Sequence, residues 1–331
     1  MSRTAAPKLD DVAREANVST ATVSRFVNNP DVVAKPTAER IRAAIEKTGY
    51  IPNALAGELA SNRSKMVAVL IPHLENSLFA DMIERMVGEL TSSGNNVMLC
   101  LTAASTNRTR DLVRAALARR VDAIISTGPV DEVSAELVGR SRALLIELWE
   151  LSGEPSGVSI GFYHEDAGRD IARFLVSRGY RRPLLVTADS PRAQARRQGF
   201  LTEWAELGHE TPSETTVDVP TRFGHARRVF SDMRRMEQMP DVVICGSDHL
   251  AQGVIVEAQA SGLRVPDDLG VMGFGNNQIA GEMRPTITSV DVDGERIARE
   301  VMAAISRHQQ QPSFQPYNID VGFRLIARES I

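Results

Sequence analysis

Three consecutive residues, Ser247, Asp248 and His249, have the side-chain types of a hydrolase. A catalytic relay needs converging side chains, whereas consecutive side chains along a strand or helix diverge. The six histidines show neither HxxxH nor HExxH spacing, and the isolated Cys100 and Cys245 form no metal-ligand pattern or disulfide framework. There is also no GxGxxG or Walker loop. The sequence therefore predicts no enzyme, no metal and no cofactor.

A second group of residues has the chemistry for reading DNA. Within LDDVAREANVSTATVSRFVN (9–28), apolar residues at Val23, Phe26 and Val27 follow the i, i+3, i+4 spacing of a helix's inner face. An arginine on the outer face can hold guanine O6 and N7 with two hydrogen bonds, and small neighbours let the backbone approach phosphates. The predicted outward residues are Thr20, Ala21, Ser24 and Arg25. The alternative is a small helical domain with a solvated face.

The elements that would position this face are three short helices. Asn17 tolerates the left-handed turn after a first helix, and Ser19 is a strong N-cap for the second. A third helix is predicted at about 36–48, ending at Gly49. Two short helices around a tight turn, covered by a third, form a helix-turn-helix.

Charge and composition agree with such a division. The 331-residue chain has a net charge of −4, yet residues 1–65 hold ten Lys or Arg and seven Asp or Glu. The basic end favours an anionic partner, although an ordinary solvated surface explains three charges equally well. There is no transmembrane-length apolar run and no signal-peptide core at the start, so we expect a cytoplasmic protein with no membrane partner.

The remainder alternates short apolar strands with amphipathic helices, which predicts parallel α/β sheets. The predicted strands are 66–72, 96–102, 122–127, 144–148, 183–188, 241–246 and 269–274. The predicted helices are 78–92, 107–119, 132–141, 166–178, 194–206, 224–236, 249–261 and 294–308. Seven strands over this length suggest two sheets, and ligands of such folds bind beyond the carboxyl ends of the strands.

The first sixty residues resemble one regulator family closely. LDDVAREANVSTATVSRFVNNP and VVAKPTAERIRAAIEKTGYIPNALAGELAS are similar, over about fifty residues without a gap, to the headpiece of the lactose-repressor (LacI) family. The body resembles that family's periplasmic-binding-protein-like core. The resemblance implies a DNA-binding domain (1–50), a hinge helix and linker (51–65) and a two-lobed effector-binding and dimerisation core (66–331). Its lobes would be 66–162 with 291–317, and 163–290 with 318–331.

The resemblance also implies roles for single residues. The base-reading residues would be Thr20, Ala21 and Arg25. The phosphate or backbone contacts would be Ser19, Thr22, Ser24, Asn28, Tyr50 and Asn53. In the hinge, Ala56 would also contact DNA and Leu59 would be the wedge in the minor groove. Two positions depart from the family pattern. Asn17 stands where Gly is usual, and Ala34 stands where Ser is usual near the start of the third helix. Both departures are expected to lower headpiece stability slightly.

The effector-binding residues implied by the resemblance follow the strand ends and the crossover. They are Asn76, Phe79, Glu147, Phe162, His164, Arg196, Ser247, Asp248 and Asn276. For His164 and the neighbouring Asn277, packing or hydration of the cleft is an equally good interpretation. Many sugar-sensing relatives have Asp where this chain has Gly275. Without that carboxylate Arg196 is less compensated, which favours an anionic or polar effector.

Stretches such as VLIPHLENSLFADM and VSIGFYHEDAGRD look most like the family's gluconate-operon repressor branch. The resemblance therefore implies a homodimeric repressor of a pseudo-palindromic operator whose effector is a sugar acid such as gluconate. The open alternatives are the same regulator sensing a neutral sugar or other metabolite and, from another class, a sugar-binding carrier. A carrier would need a signal peptide and no headpiece, the opposite of this chain.

Overall fold

The computed structural model describes residues 6–51, 63–74, 77–151, 153–311 and 315–331, with only the backbone for Asn28 and for residues 77–79. The chain divides into two compact units, residues 1–65 and residues 66–331. The hinge helix predicted within 51–65 falls mostly outside the described residues. In the described part of the chain, no helix has the length and apolar character needed to cross a membrane.

The first unit is a three-helix domain of α1 (Leu9–Ala16), α2 (Thr20–Asn28) and α3 (Lys35–Thr48). Asn17 adopts the left-handed conformation with φ 53°, and Gly49 ends α3 with φ 66°. Both turns confirm the positions predicted from sequence. The apolar faces of the three helices meet in one core that includes Val12, Val23 and Ile41, each completely buried.

The second unit alternates strands and helices. The strands are β1 (Met66–Ile71), β2 (Asn96–Leu101), β3 (Ala123–Ser126), β4 (Leu144–Leu148), β5 (Val158–Gly161), β6 (Pro183–Ala188), β7 (Ser213–Val217), β8 (Val242–Cys245), β9 (Gly270–Phe274), β10 (Thr288–Asp291), β11 (Tyr317–Asp320) and β12 (Arg324–Ile326). The helices are α4 (Ser77–Ser92), α5 (Thr106–Ala118), α6 (Glu132–Gly139), α7 (His164–Ser177), α8 (Pro191–Glu206), α9 (His225–Met233), α10 (Asp248–Ala260), α11 (Gln278–Glu282) and α12 (Gly294–Gln310).

These strands form two six-stranded sheets, one in each lobe, which confirms the predicted fold class. The first has the order β11-β5-β4-β3-β1-β2 and the second β12-β10-β9-β8-β6-β7. Most neighbours run parallel, and β12 pairs antiparallel with β10. The central strands are buried and mostly apolar because helices cover both faces of a parallel sheet.

One predicted lobe boundary is wrong. The resemblance implies that residues 318–331 belong to the second lobe, but β11 (Tyr317–Asp320) pairs parallel with β5 in the first sheet. Its backbone hydrogen bonds therefore keep residues 318–320 in the first lobe, and the chain returns to the second lobe only before β12.

Candidate functional site

The start of α2 is fixed by its own hydroxyl groups. Ser19 Oγ accepts a hydrogen bond from the Thr22 N–H at 3.2 Å, and the two hydroxyl oxygens lie 2.8 Å apart. This N-cap satisfies one of the free donors in the first turn of the helix. Ser24, one turn further, is half-buried.

One face of α2 is open to solvent. Thr20, Ala21 and Arg25 are exposed. On the opposite side Val23 is completely buried and Phe26 is 7% exposed in the three-helix core. The core therefore holds α2 by one face and presents two small side chains and one guanidinium on the other.

The other predicted contacts of this unit are only partly visible. Tyr50 is half-buried and packs against the three-helix core. Asn53, Ala56 and Leu59 lie outside the described residues, as does the side chain of Asn28.

In the second unit, His164 connects the two lobes at the start of α7. Its Nε2 lies 2.9 Å from the carbonyl oxygen of Trp149, the residue after β4, which has a left-handed φ of 75°. A carbonyl only accepts, so Nε2 carries the hydrogen, and Nδ1 accepts from Arg196 Nη1 at 2.9 Å. Burial, aided by the charges of Arg196 and Arg192, lowers the pKa of His164 to about 2. The imidazole is therefore neutral.

Arg196 is held between this imidazole and an aromatic ring. Its Cζ lies 4.2 Å from the centroid of the Phe274 ring, within range of a cation–π interaction. Burial and the charge of Arg192 lower the pKa of Arg196 to about 10, and Glu150 opposes that shift. The guanidinium therefore remains charged at neutral pH in a site that excludes much of the solvent.

Arg192, one turn before Arg196 on α8, reaches from the second lobe into the first. Its Nη2 donates to the carbonyl oxygen of Thr127 and lies 3.5 Å from that of Leu148. Its Nε lies 3.5 Å from a carboxylate oxygen of Glu150. Gly128 leaves the room for this side chain, because a Cβ there would lie 2.5 Å from Arg192 Nη2. Arg192 thus bridges the cleft.

Glu147 and Phe162 support the cleft from behind. Glu147 Oε1 accepts a hydrogen bond from the Val130 N–H at 2.8 Å, and burial raises the pKa of this carboxyl. The Phe162 ring is completely buried, with its centroid 4.4 Å from that of the His164 ring and 6.4 Å from that of Phe274. Phe162 therefore packs under the imidazole.

Ser247 caps α10. Its Oγ accepts a hydrogen bond from the Leu250 N–H at 3.3 Å and another from the Thr221 hydroxyl at 2.8 Å. The side chain is engaged in holding the start of the helix and the preceding loop together.

Asp248 is turned into the second lobe. It is completely buried; its Oδ2 accepts from the Asn277 N–H at 2.7 Å, and its Oδ1 accepts from Ser289 Oγ at 2.6 Å. Burial raises the pKa of Asp248. Both carboxylate oxygens thus have partners within the lobe, and they join α10 to the loop after β9 and to the start of β10.

Asn276 is also bonded within its own lobe. Its side-chain oxygen accepts from Arg328 at 2.5 Å, and its amide nitrogen donates to Asp291 at 3.0 Å. The preceding Gly275 has φ +117°, a conformation that residues with side chains rarely adopt. Asn76 and the side chain of Phe79 lie outside the described residues.

A cavity of about 350 Å³ opens between the N-terminal half of α4 in the first lobe and the ends of β9 and β10 in the second. It is lined by Asp81, Met82, Arg85, Trp149, Gly275, Asn276, Asn277, Asp291, Val292, Asp293, Gly294, Glu295 and Arg324. Two of its acids are paired, Glu295 with Arg85 at 2.8 Å and Asp291 with Arg324 at 2.5 Å.

Both units of the chain are similar to known families. Residues 8–53 match the family described as bacterial regulatory proteins, lacI family, and residues 172–331 match a periplasmic binding protein-like domain. The chain is 30% identical to the HTH-type transcriptional regulator GntR of Pseudomonas aeruginosa over 99% of its own length and 96% of that protein. It belongs to the LacI family.

Other relatives agree with this assignment. This LacI-family chain is 28% identical to catabolite control protein A of Priestia megaterium, covering 97% of the chain and 98% of that protein. The structure of the Lac repressor dimer bound to operator and the anti-inducer ONPF superposes with a TM-score of 0.85 at 24% identity, covering 98% of each chain. That second likeness shows a common fold.

Membership of the LacI family decides the class of function. The protein is a DNA-binding transcriptional repressor that responds to a small molecule, and it is not an enzyme. Accordingly, the run Ser247-Asp248-His249 begins a helix with its serine as N-cap and its aspartate bonded inward. In the described ranges no three His, Cys, Asp or Glu side chains are grouped to hold a metal ion.

The sequence reasoning missed Arg192, Glu150 and Trp149. Arg192 and Arg196 are four residues apart, a spacing that puts both on one face of a helix, but the helix predicted from sequence begins only at residue 194 and leaves Arg192 outside it. The partners of Arg192 are mostly backbone carbonyls of the other lobe, which no residue pattern identifies.

Proposed function

We propose that this LacI-family repressor acts in the bacterial cytoplasm as a homodimer on a pseudo-palindromic operator and responds to a sugar acid, such as gluconate or a related aldonate. The observation that carries the choice of effector is the pair of arginines, Arg192 and Arg196, in the cleft beside Glu150. The other proposed effector contacts are Asn76, Phe79 and His164. Glu147 and Phe162 would support the cleft from behind, and Ser247, Asp248 and Asn276 would hold the second-lobe wall.

The charges around these arginines favour an anion. His164 is neutral, so Arg192 and Arg196 bring two positive charges against the one negative charge of Glu150. An effector carboxylate would supply the second negative charge, and a guanidinium can bind a carboxylate through two parallel hydrogen bonds. Gly275 supplies no competing carboxylate, at a position where many sugar-sensing relatives have Asp.

A neutral sugar is the second candidate, because the cavity between α4 and the ends of β9 and β10 is polar and contains carboxylates that accept hydroxyl hydrogens. Two of these carboxylates, Glu295 and Asp291, are already paired with arginines. Asp293 caps α12 by accepting from the Arg296 N–H at 2.8 Å. Such partners leave these carboxylates less available to sugar hydroxyls, which favours a sugar acid over a neutral sugar as the effector.

On the DNA side, the exposed face of α2 supports direct reading of the major groove. We assign base contacts to Thr20, Ala21 and Arg25, and phosphate or backbone contacts to Ser19, Thr22, Ser24, Asn28, Tyr50 and Asn53. Ala56 and Leu59 complete the proposal as hinge contacts in the minor groove. The arginine would select guanine, whereas Thr20 and Ala21 offer methyl groups to thymine.

The dimer would form through the first lobe and the last helices, including α4 and α12. β2 is the edge strand of the first sheet, and its Leu99 and Leu101 are 44% and 38% exposed. Apolar side chains along an unpaired edge strand are typical of a surface that a second copy covers. Closure of the lobes by the effector would then change the spacing of the two hinges, with a reciprocal coupling of about 1–3 kcal/mol.

The proposal is tested by calorimetry with gluconate, other aldonates and neutral hexoses, together with operator titrations. Arg196→Ala should weaken binding of the preferred sugar acid at least ~30-fold, because truncating one partner of a buried charged contact costs about 2 kcal/mol or more. Operator binding without effector should persist. Arg197→Ala is the matched control, since Arg197 pairs with Glu214 instead. Tight binding of a neutral hexose and of no acid would contradict the proposed effector class.

A further inference from the structure

The two helices that carry the cleft residues touch through their backbones. A Cβ added to Gly168 of α7 would lie 2.0 Å from the carbonyl oxygen of Arg196 and 2.7 Å from the Phe200 nitrogen. A Cβ added to Gly199 of α8 would lie 2.0 Å from the carbonyl oxygen of Glu165. Each glycine thus receives the backbone of the other helix.

These glycines serve close approach and not backbone conformation. Both are buried, and neither has the left-handed φ that would itself require glycine. Real Cβ atoms essentially never come within 3.0 Å of such neighbours, so an alanine at either position would push α7 and α8 apart by about 1 Å. Only glycine allows this crossing distance.

The crossing lies at the residues that meet in the cleft. Gly168 is one turn from His164 on α7, and the carbonyl that it receives belongs to Arg196 itself. The hydrogen bond between His164 Nδ1 and Arg196 Nη1 is 2.9 Å long. A separation of the helices by about 1 Å would carry this contact beyond hydrogen-bonding distance unless the arginine changed rotamer.

The opposite end of the same helix pair is fixed by an ion pair. Arg173 of α7 donates from Nε and Nη2 to the two carboxylate oxygens of Glu203 on α8, at 2.7 and 2.8 Å. The Glu203 side chain is 7% exposed. The crossing is therefore held at two points, by glycines near the cleft and by a bidentate pair away from it.

We propose that Gly168 and Gly199 are positioning residues for effector recognition, because their backbone contact sets where Arg196 meets His164 and the effector. This inference rests on the proposed role of Arg196 as an effector contact. The two glycines act through Arg196 and do not themselves touch the effector.

The test compares Gly168→Ala and Gly199→Ala with Gly253→Ala. Gly253 is also a crowded helix glycine, whose Cβ would lie 2.5 Å from the Phe223 carbonyl oxygen, but it packs α10 against α9 instead of against the cleft helices. Two quantities are measured in the full-length protein, the affinity for potassium gluconate and the ¹⁵N chemical shift of His164 Nδ1. Circular dichroism and thermal melting verify that each variant is folded.

We expect the two cleft variants to bind gluconate at least ~10-fold more weakly and to show a shifted His164 Nδ1 signal, because small displacements of binding groups have large effects. Gly253→Ala should keep the wild-type affinity and signal. Folded cleft variants with an unchanged signal would overturn the proposal, as would a Gly253→Ala variant that is equally impaired in both measurements.

Two further arms cover the remaining outcomes. If the alanine variants do not fold, Arg173→Gln loosens the same helix pair without a steric clash; a shifted His164 signal supports the proposal and an unchanged one overturns it. If the wild-type protein does not bind gluconate, the choice of effector fails, while the His164 signal, which needs no effector, still decides the role of the glycines.

Discussion

In the helical unit, Thr20, Ala21 and Arg25 lie exposed on one face of α2, whereas in the α/β unit His164 and Asp248 are buried and already hydrogen-bonded. The first arrangement leaves the side chains ready to exchange water for base edges and phosphates. The second fixes the side chains before any ligand arrives, so little ordering is needed on binding.

The difference separates two kinds of site residue, those that contact a ligand directly and those that hold the site in shape. A substitution on the open face of α2 should change DNA binding and leave folding intact. A substitution among the bonded residues of the core should change folding first, and ligand binding only where the side chain also lines the cleft. The four predictions below test this separation, in order of decreasing effect.

Asp248→Ala should lower the free energy of unfolding by about 3 kcal/mol, because the Asn277 N–H and the Ser289 hydroxyl lose a buried charged acceptor. Urea denaturation of the full chain measures this. Asp267→Ala is the control, since its carboxylate is 61% exposed and pairs with Arg264 at the surface. A stable Asp248→Ala protein that no longer binds effector would instead identify Asp248 as a direct contact.

Arg25→Ala should weaken operator binding by about 2 kcal/mol and relax the preference for guanine at one position in each half-site, with no loss of stability. Fluorescence anisotropy with a set of operator variants measures both effects. Arg14→Ala, on the exposed side of α1, is the control in the same unit. An unchanged base preference would exclude Arg25 as a base-reading residue. The exposed face of α2 would then not be the surface that reads DNA.

His164 gives a prediction that depends on pH. Its pKa is about 2 in the folded protein and 6.5 in the reference state, so below about pH 6.5 the unfolded chain binds a proton that the folded chain does not. Stability should therefore fall with falling pH, by about 1.4 kcal/mol between about pH 7.5 and pH 5.5. His164→Gln should lose this component of the pH dependence in urea unfolding.

The control for His164 is His225→Gln, at a half-buried position at the start of α9. If the free energy of unfolding depends on pH in the same way in the wild type and in His164→Gln, the imidazole takes up a proton within the fold. The inference that His164 is buried and neutral in a preformed cleft would then be wrong.

Local patterns were sufficient for the helical unit and for the central strands. Asn17, Ser19 and Gly49 have the turn and cap geometry that their residue types favour. The long apolar strands were also predictable, because parallel strands buried on both faces are continuous apolar runs.

The strands that escaped prediction are short or polar. β7 is SETTV and β11 is YNID, both edge strands that reveal little apolar periodicity, and pairing with β6 and β5 decides their structure. Prediction of the candidate site from sequence was limited in a similar way. The resemblance implied Asp248 and Asn276 as ligand contacts, but their internal bonds to Ser289 and Arg328 depend on segments distant in sequence.

The smallest effect concerns the start of α3. Ala34 is its N-cap with no side-chain hydrogen bond, and the following Pro36 has no N–H, which leaves the Thr37 N–H as the donor for a capping side chain. Ala34→Ser should stabilise α3 by about 1 kcal/mol. Native-state amide hydrogen exchange in the full chain measures this as slower opening of α3.

Ala43→Ser is the matched control, because it makes the same change at an exposed position inside α3, where serine has a lower helix propensity and should destabilise by about 0.5 kcal/mol. Operator affinity should stay unchanged in both variants, since neither residue lies on the open face of α2. A gain in operator affinity in Ala34→Ser would mean that the stability of the three-helix unit limits DNA binding. Folding and DNA binding would then not be separable in this unit.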